Sequence, residues 1–241
     1  MKPIYVPAGR AKEYGDYAIN IYTGCPHRCY YCFAPSVLHK DRQQFHSVVE
    51  PRKGIVEAVR RQLETEQITG KLIHLCFTCD PYPKGYDDTP TREIIKALKD
   101  AGNHVQILTK NGVDAERDFD LLDGADRFGI SYAGYPKEKR LESPDSEPGA
   151  GSWGHRLAAL KRAHDLGIKT WISFEPVLDA VDVLNFLELN VRYVDKYKIG
   201  KLNYHPSDIN WKDFGIRAER ICISNNVDYY IKDSLRTEME K

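Results

Sequence analysis

Residues 72–110, which decide the fold class, read LIHLCFTCDPYPKGYDDTPTREIIKALKDAGNHVQILTK. The β-rich run 72–78 predicts a strand. A helix follows in which Pro90 takes the first helical position, where its missing N–H costs nothing, and Gly102 ends that helix. The run 104–110 is again β-rich. A strand, a helix and a second strand in this order predict an α/β protein with a parallel sheet.

The same alternation of strands and amphipathic helices continues on both sides of this segment. Further strands are predicted over residues 17–22, 127–132, 169–175, 193–200 and 228–232. Further helices are predicted over residues 51–66, 115–122, 152–166, 181–189 and 211–223. About six βα units then fill a single domain over residues 1–241, with a core at 17–203 and a C-terminal extension at 204–241. Such strands form either an open, doubly wound sheet or a barrel, and periodicity alone does not choose between them.

Composition excludes several classes of protein. The chain has 241 residues, 41% of them hydrophobic, which is enough for a core and argues against a disordered protein. Lys plus Arg and Asp plus Glu number 35 each, so contact with nucleic acid needs a local basic patch rather than bulk charge. No run approaches the ~18 apolar residues of a membrane span, and the N-terminus lacks the apolar stretch of a signal peptide, which predicts a cytoplasmic protein. No glycine-rich fingerprint of a dinucleotide or P-loop site follows a predicted strand.

Three of the six cysteines lie within the segment 23–36, which reads TGCPHRCYYCFAPS. A cytoplasmic chain keeps its thiols reduced, so these cysteines need a reason other than disulfides. Three thiolates from one loop, Cys25, Cys29 and Cys32, can hold three corners of a cubane iron–sulfur cluster and leave the fourth iron open to a ligand. The alternative is a non-catalytic iron–sulfur or zinc module, and zinc needs a fourth ligand from His27 or a distant cysteine.

The C-x3-C-x2-C spacing, with the aromatic Tyr31 directly before the last cysteine, resembles the motif of the radical S-adenosylmethionine (SAM) superfamily. Three further segments resemble its spore photoproduct lyase-like branch: FTCDPYP at 77–83, LTKNG at 108–112, and residues 140–178. The resemblance implies a partial TIM-type barrel of about six βα units. It implies a 4Fe–4S cluster on the three cysteines, SAM on the open iron, and a 5′-deoxyadenosyl radical that abstracts hydrogen. By the same resemblance, Tyr31 packs on adenine and a flavodoxin or ferredoxin donates electrons.

Polar residues at the C-terminal ends of the predicted strands are the candidate cofactor ligands, because barrel active sites form there. By resemblance, Thr78 and Asp80 contact the methionine amino group of SAM. Lys110 contacts the methionine carboxylate and Ser131 the ribose, while Glu175, at the end of the fifth strand, is a further candidate. Each has a plainer interpretation, in which Asp80 caps a turn, Lys110 is solvated and Glu175 closes its strand.

Cys76 and Cys79 flank the end of the second predicted strand. By resemblance, a cysteine there returns a hydrogen atom to the product radical, which suits its weak S–H bond. The sequence departs from the family pattern, because Phe77 occupies the position expected for the donor. Strand alternation predicts that the two side chains point to opposite faces, so that at most one, Cys79 before Cys76, serves the cofactor. The alternative for both, and the expectation for Cys222, is an ordinary buried cysteine.

The substrate is the part of the function that the sequence determines least. Resemblance favours a modified or damaged nucleobase, with a peptide or a small metabolite as alternatives. His27 and Arg28, inside the cysteine loop, are placed to face a substrate or an electron donor. Arg156 either reaches the cofactor or an anionic substrate, or has a capping role or lies at the surface. The polar loop 135–154 is either a lid over the barrel mouth or a solvated connection.

Overall fold

The structure, a computed structural model, describes residues 2–134 and 145–241. Within these residues one sheet has the strands β1 (Tyr17–Ile19), β2 (Leu72–Leu75), β3 (His104–Thr109), β4 (Arg127–Ser131), β5 (Lys169–Phe174), β6 (Lys196–Ile199) and β7 (Asp228–Ile231). Every neighbouring pair is parallel. The predicted α/β class and parallel sheet are confirmed.

The strand order decides between the two sheet types that periodicity left open. In a doubly wound sheet the strand order reverses at a switch point, whereas here each strand pairs with the next one along the chain. Continuous winding of this kind is that of a barrel. Within the described ranges no pairing joins β7 back to β1, so the barrel is partial, as the resemblance implied.

Helices cover one face of the sheet. The described residues contain α1 (Ala34–Val37), α2 (Arg42–Ser47), α3 (Ile55–Glu66), α4 (Thr89–Asp100), α5 (Gly112–Ala115), α6 (Trp153–Asp165), α7 (Ala180–Asn190), α8 (Trp211–Ser224) and α9 (Asp233–Met239). Sequence analysis missed α1, α2 and α9, because each is too short to show a periodic apolar stripe. Most of the helix predicted over 115–122 is a 3-10 turn, Glu116–Leu121. No helix in the described part of the chain is both long and apolar enough to cross a membrane.

Two strands, β1 and β2, end three residues earlier than predicted, and both ends shape the site. β1 stops at Ile19, and the chain turns from there into the cysteine loop. β2 stops at Leu75 rather than at residue 78, because Cys76 adopts a left-handed φ of 68°, which an extended strand cannot contain. Side-chain alternation therefore does not carry past Leu75.

The two faces of the sheet differ in polarity. One face packs against the helices and carries fully buried residues, among them Ile73, Val105, Phe128, Ile172 and Tyr197. The other face lines the barrel and carries His74, Gln106, Ser131, Trp171 and Lys198. Successive side chains of a strand point to opposite faces, so alternation of apolar and polar residues along each strand produces this division. A polar barrel interior is suited to a polar ligand.

The N-terminal segment bridges the two edge strands of the sheet. Tyr5 forms an antiparallel bridge with Ala18 of β1, with N···O distances of 3.0 and 2.9 Å. Further along, the Glu13 carboxylate accepts the Asp233 N–H at 2.9 Å, just beyond β7. This segment therefore spans the open side of the partial barrel.

Candidate cluster and cofactor site

The cysteine loop follows β1 and is held on one side by α2. The Arg42 guanidinium, in the first residue of α2, donates to the carbonyl oxygens of Cys29, Tyr30 and Cys32 at 2.5, 2.6 and 3.0 Å. Asp41 caps the same helix by accepting a backbone N–H of its first turn. One charged side chain thus fixes the half of the loop that carries two of the three candidate ligands.

The first half of the cysteine loop is held by the end of α2. The Cys25 N–H donates to the Phe45 carbonyl at 3.2 Å, and the Cys25 carbonyl lies 2.8 Å from His46 Nδ1. Only glycine fits at position 24, because a Cβ atom there would lie 2.2 Å from the Val48 carbonyl oxygen. The loop therefore follows the helix backbone closely at its first cysteine.

The end of the predicted polar loop packs against the cysteine loop from the other side. The Gly149 N–H donates to the His27 carbonyl at 3.0 Å, and a Cβ atom on Gly149 would lie 2.0 Å from the Pro26 carbonyl oxygen. Residues 146–151 are thus part of the site, and the interpretation of this part as a solvated connection is wrong. Residues 135–144, on which the lid interpretation depends, lie outside the described residues.

A fully buried ion pair lies beneath this packing. Glu147 Oε2 is 2.5 Å from an Arg156 guanidinium nitrogen, and both residues have 0% exposure. The Tyr31 hydroxyl donates to the same carboxylate. Arg156 also donates to the carbonyls of Gly151 and Ser131, each at 3.0 Å. The pair connects Tyr31 with the end of β4, and the expectation that Arg156 lies at the surface is wrong.

The three loop thiols fit a cluster better than a single zinc ion. Burial raises the pKa of Cys25 and Cys32, and raises that of Cys29 to about 12, so the thiols need a tightly bound cation to ionise. Zn–S bonds of ~2.3 Å in a tetrahedral site place sulfur atoms about 3.8 Å apart. In residues 2–134 and 145–241, the only three ligand atoms within 4.8 Å of one another belong to His104, Asp123 and Asp126. The sulfur atoms of Cys25, Cys29 and Cys32 therefore do not all lie within 4.8 Å of one another, and at least one pair is farther apart than in a tetrahedral zinc site.

Asp80 joins three segments of the site. Its carboxylate accepts the Thr109 hydroxyl at 2.6 Å, the Lys110 N–H at 2.8 Å and the Tyr82 N–H at 2.9 Å. The same carboxylate lies 3.5 Å from Nδ1 of His27 in the cysteine loop. The ends of β2 and β3 and the cysteine loop therefore meet at one carboxylate. The predicted contact of Asp80 with the methionine amino group stays a prediction.

Three polar groups near this junction have no hydrogen-bond partner among the described residues. Thr78 Oγ1 and His27 Nε2 are buried without one. Lys110 Nζ lies 5.9 Å from the centre of the Tyr31 ring. Burial acts to lower the pKa of Lys110, but Cys29 and Glu147 outweigh it and hold that pKa above its usual value. Buried polar groups without partners indicate a site for a polar ligand, which is the fit that a zwitterionic cofactor needs.

His27 is only 1% exposed, so the expectation that it faces an electron donor is wrong. Burial lowers the pKa of His27 to about 4, which keeps its ring neutral. Arg28, the next residue, is exposed and adopts a φ of 53°. Of these two neighbours, Arg28 alone faces outward.

Glu175 makes its contacts with residues outside the cysteine loop. Its carboxylate pairs with Lys232, which follows β7, and accepts the Tyr14 hydroxyl at 3.3 Å and the Asn203 amide at 3.1 Å. These contacts place Glu175 on the side of the barrel formed by β5, β6 and β7. Its role in cofactor binding stays a prediction.

Cys76 and Cys79 meet each other. Their thiols lie close enough to interact electrostatically, and Cys79 Sγ accepts the Tyr22 N–H at 3.4 Å. The expectation that the two side chains point to opposite faces is wrong, because the left-handed Cys76 ends the strand before alternation applies. Their C-x-x-C spacing is compatible with a pair of neighbouring thiols. The predicted strand over 72–78 argued against such a pair, because it placed the two side chains on opposite faces. Cys222 is fully buried on α8, as expected.

Sequence reasoning missed Arg42 and Glu147, which organise the cysteine loop. Neither stands in a recognisable motif, and Arg42 begins a helix that the sequence analysis did not find. The available signal was the pair Gly149 and Gly151, since clustered glycines indicate a close approach of backbones. Even the two glycines do not indicate which segment of the chain packs against them.

A family model described as the radical SAM superfamily matches residues 19–180, from the end of β1 to the start of α7. The chain belongs to the radical SAM superfamily. The match covers the three loop cysteines and the ends of β2 to β5, where the candidate ligands of this radical SAM protein lie.

Two relatives illustrate the sequence similarity. An uncharacterized protein of Methanocaldococcus jannaschii is 29% identical over 194 residues, which are 79% of this chain and 72% of the relative. The uncharacterized protein Rv2578c of Mycobacterium tuberculosis is 30% identical over 175 residues, or 67% of this chain and 49% of the relative. The chain thus spans about half the length of the mycobacterial protein.

Two solved structures share the fold of this radical SAM protein. Spore photoproduct lyase complexed with dinucleoside spore photoproduct has a TM-score of 0.68 at 15% identity, over 94% of this chain and 79% of the other. Streptococcus suis SuiB bound to S-adenosylmethionine has a TM-score of 0.66 at 11% identity, over 92% of this chain and 51% of the other. At such identities the likeness establishes the fold alone.

Proposed function

We propose that Cys25, Cys29 and Cys32 hold a 4Fe–4S cluster whose open iron takes SAM, and that the protein generates a 5′-deoxyadenosyl radical for hydrogen abstraction. The observation that carries the proposal is a loop with three free thiols that is clamped from both sides and in which at least one pair of sulfur atoms is too far apart for one zinc ion. When bound, the cluster and SAM supply the electron and the bond whose cleavage makes the radical. The protein supplies the ligands, the orientation and the exclusion of water.

The residues around Asp80 are proposed to orient SAM. The Lys110 ammonium binds the methionine carboxylate through a charge-assisted hydrogen bond. Thr78 and Asp80 bind the methionine amino group, with the unpartnered Thr78 hydroxyl as one acceptor. Ser131 binds the ribose and Tyr31 packs on adenine. Both are tied to the buried Glu147–Arg156 pair, which holds their relative position.

A modified or damaged nucleobase is the proposed substrate, in a lyase-like reaction. The solved structure of spore photoproduct lyase with a dinucleoside supports this class through the shared fold. SuiB, solved with its precursor peptide, supports a peptide as the second candidate. Glu175 is proposed as a further cofactor contact, on the side of the barrel formed by β5, β6 and β7.

The Cys76–Cys79 pair is proposed to return hydrogen to the product radical. Burial raises the pKa of Cys76 well above its usual value, so its thiol keeps the proton that donation requires. Turnover in deuterated water should place deuterium in the product, and Cys79→Ala should abolish this transfer while 5′-deoxyadenosine still forms. Unchanged deuterium content in both Cys76→Ala and Cys79→Ala would remove these thiols from the mechanism.

Anaerobic reconstitution tests the proposed function directly. The wild-type chain should bind about four irons, as three thiolates and one open corner require, and should form 5′-deoxyadenosine from SAM only with a reductant. Cys29→Ala should lose both cluster and product. Cys222→Ala, a buried cysteine outside the loop, serves as the control and should keep both.

Two outcomes would overturn the proposal. One is a colourless protein that holds a single zinc ion, which would favour the non-catalytic module. The other is full cluster occupancy without any 5′-deoxyadenosine.

The protein is proposed to work in the cytoplasm with a flavodoxin or ferredoxin as electron donor. All six cysteines are free, which suits a reducing compartment. The exposed Arg28, next to Cys29 in the cysteine loop, offers a cation to an acidic electron carrier.

A further inference from the structure

A cleft of about 630 Å³ opens beside the cysteine loop, at the ends of β6 and β7. Its walls come from residues 201–211, which follow β6, from α9, which follows β7, and from Arg10 in the N-terminal segment. The His205 ring on its wall is 5.4 Å from the ring of Tyr30 in the cysteine loop. The cleft therefore borders the proposed cluster on the same rim of the barrel.

The floor of the cleft reaches toward the barrel interior. Asn203 lines the cleft, and its amide donates to Glu175 Oε1 at 3.1 Å. Glu175 in turn pairs with Lys232 and contacts Tyr14, so the cleft adjoins the polar network of the side formed by β5, β6 and β7. No residue proposed to orient SAM around Asp80 lines this cleft.

Aromatic rings give the cleft one kind of binding surface. Tyr204 is 82% exposed, with its backbone held at a φ of 65°, and His205 and Trp211 stand on the same wall. Several rings clustered on one wall form an apolar surface of the kind that marks binding sites, which a single exposed ring does not. Planar ligands stack on such rings with little dependence on their identity.

A single unpaired cation gives the cleft its charge. The Arg10 guanidinium lies 5.3 Å from the centre of the Tyr204 ring and has no hydrogen bond or ion pair with the described residues. Lys201, also on the wall, is already bound to the Glu238 carboxylate, which Lys241 also contacts at 2.7 Å. Arg10 is therefore the group available to bind an anion.

We propose that this cleft binds a planar aromatic group that carries a phosphate or a carboxylate, with the ring on Tyr204 and the anion on Arg10. Serine and threonine hydroxyls at Ser234 and Thr237 offer hydrogen bonds to the polar edge of the ring. Naming this ligand as the substrate rests on the proposed radical chemistry, whereas the binding itself does not depend on it.

Calorimetric titration of the reconstituted holoenzyme tests the proposal, with SAM in excess so that its own adenine site is filled. The probes are thymidine 5′-monophosphate, thymidine and 4-hydroxyphenylacetate. Tyr204→Leu removes the aromatic face and should weaken binding of the monophosphate about tenfold. Arg10→Gln should weaken it by a similar factor and bring it to the level of thymidine, which lacks the anion. Arg61→Gln, an exposed arginine on α3, is the control and should change nothing.

The outcomes separate this inference from the proposed function. Preference for the monophosphate over 4-hydroxyphenylacetate assigns a nucleotide, and the reverse assigns an aromatic carboxylate. Failure of both anions to bind, or binding that survives both cleft substitutions, overturns the inference. If the wild-type protein forms 5′-deoxyadenosine but binds neither anionic probe, only this inference is overturned. If the protein binds an anionic probe through Arg10 and Tyr204 but forms no 5′-deoxyadenosine, only the proposed radical chemistry is overturned.

Discussion

Glu147 and Arg156 form an ion pair, 2.5 Å apart, with neither side chain exposed to solvent. The pair connects Tyr31 in the cysteine loop with the carbonyl of Ser131 at the end of β4. The ion pair thus fixes the positions of Tyr31 and Ser131, which are predicted to contact the adenine and the ribose of SAM. Glu147 and Arg156 are not themselves among the predicted SAM contacts. The geometry of the site therefore depends on a polar network inside the protein.

Breaking this pair should destabilise the fold. Glu147→Gln removes the negative charge that pairs with the buried Arg156 guanidinium, and we expect a loss of about 3–5 kcal/mol in the free energy of unfolding. Urea denaturation under anaerobic conditions measures it. Glu64→Gln, the same change at an exposed position on α3, should stay within about 0.5 kcal/mol. A loss below 1 kcal/mol for Glu147→Gln would show that solvent reaches Arg156 after all.

A methyl group on Gly149 should disturb the cysteine loop. Its Cβ would lie 2.0 Å from the Pro26 carbonyl oxygen, a backbone atom that cannot move aside alone. Gly149→Ala should cost about 1–3 kcal/mol in the free energy of unfolding and reduce the iron content after reconstitution. Gly15→Ala meets no atom within 4 Å and is the matched control. Equal iron content and stability in the two variants would contradict the tight packing.

Arg42 should govern retention of the cluster. Arg42→Gln removes most of the donors to the carbonyls of Cys29, Tyr30 and Cys32, each a charge-assisted bond. Losing about 1.5–3 kcal/mol of such hydrogen bonding should release iron to a chelator at least tenfold faster. The chelator-bound iron is followed by absorbance. Arg61→Gln, a second exposed arginine, should release iron at the wild-type rate.

Lys198 should make stability depend on pH. Burial, reinforced by Lys232, lowers the pKa of Lys198 to about 7, against ~10.4 in the unfolded chain. Between these two pKa values Lys198 is protonated in the unfolded chain and largely neutral in the folded protein, so the free energy of unfolding rises with pH. Below pH 7 Lys198 is charged in both states, and the folded protein bears the full cost of burying that charge. Lys198→Met should therefore stabilise most near pH 6.

The gain from Lys198→Met should then decline by up to about 1.4 kcal/mol per pH unit above pH 7. Urea denaturation at several pH values measures the slope. The lost hydrogen bond from Lys198 Nζ to the Glu13 carbonyl adds an offset that does not vary with pH. Lys212→Met, at an exposed position, should give no slope. A pH-independent difference for Lys198→Met would contradict a lowered pKa.

Local patterns predicted most of the fold. The strands around 72–78 and 104–110 and the helix that opens at Pro90 were found because apolar periodicity and caps are properties of short segments. The end of β2 was misplaced, since nothing in the residues LCFTC announces the left-handed Cys76. The helices α1 and α2 were missed because they are too short to show a periodic apolar stripe, although α2 supplies Arg42.

The sequence by itself determined the parallel α/β class, the three cysteines in their C-x3-C-x2-C spacing and, through them, the superfamily. Each of these features is encoded by residues a few positions apart in the sequence, and such residues stay close together in any fold. Only the tertiary structure decided that the sheet winds as a partial barrel, that Glu147 and Arg156 bury a charge pair under Tyr31, and that Arg10 meets Tyr204. Those contacts join distant parts of the chain, and their strength depends on burial and on partners, which no local pattern encodes.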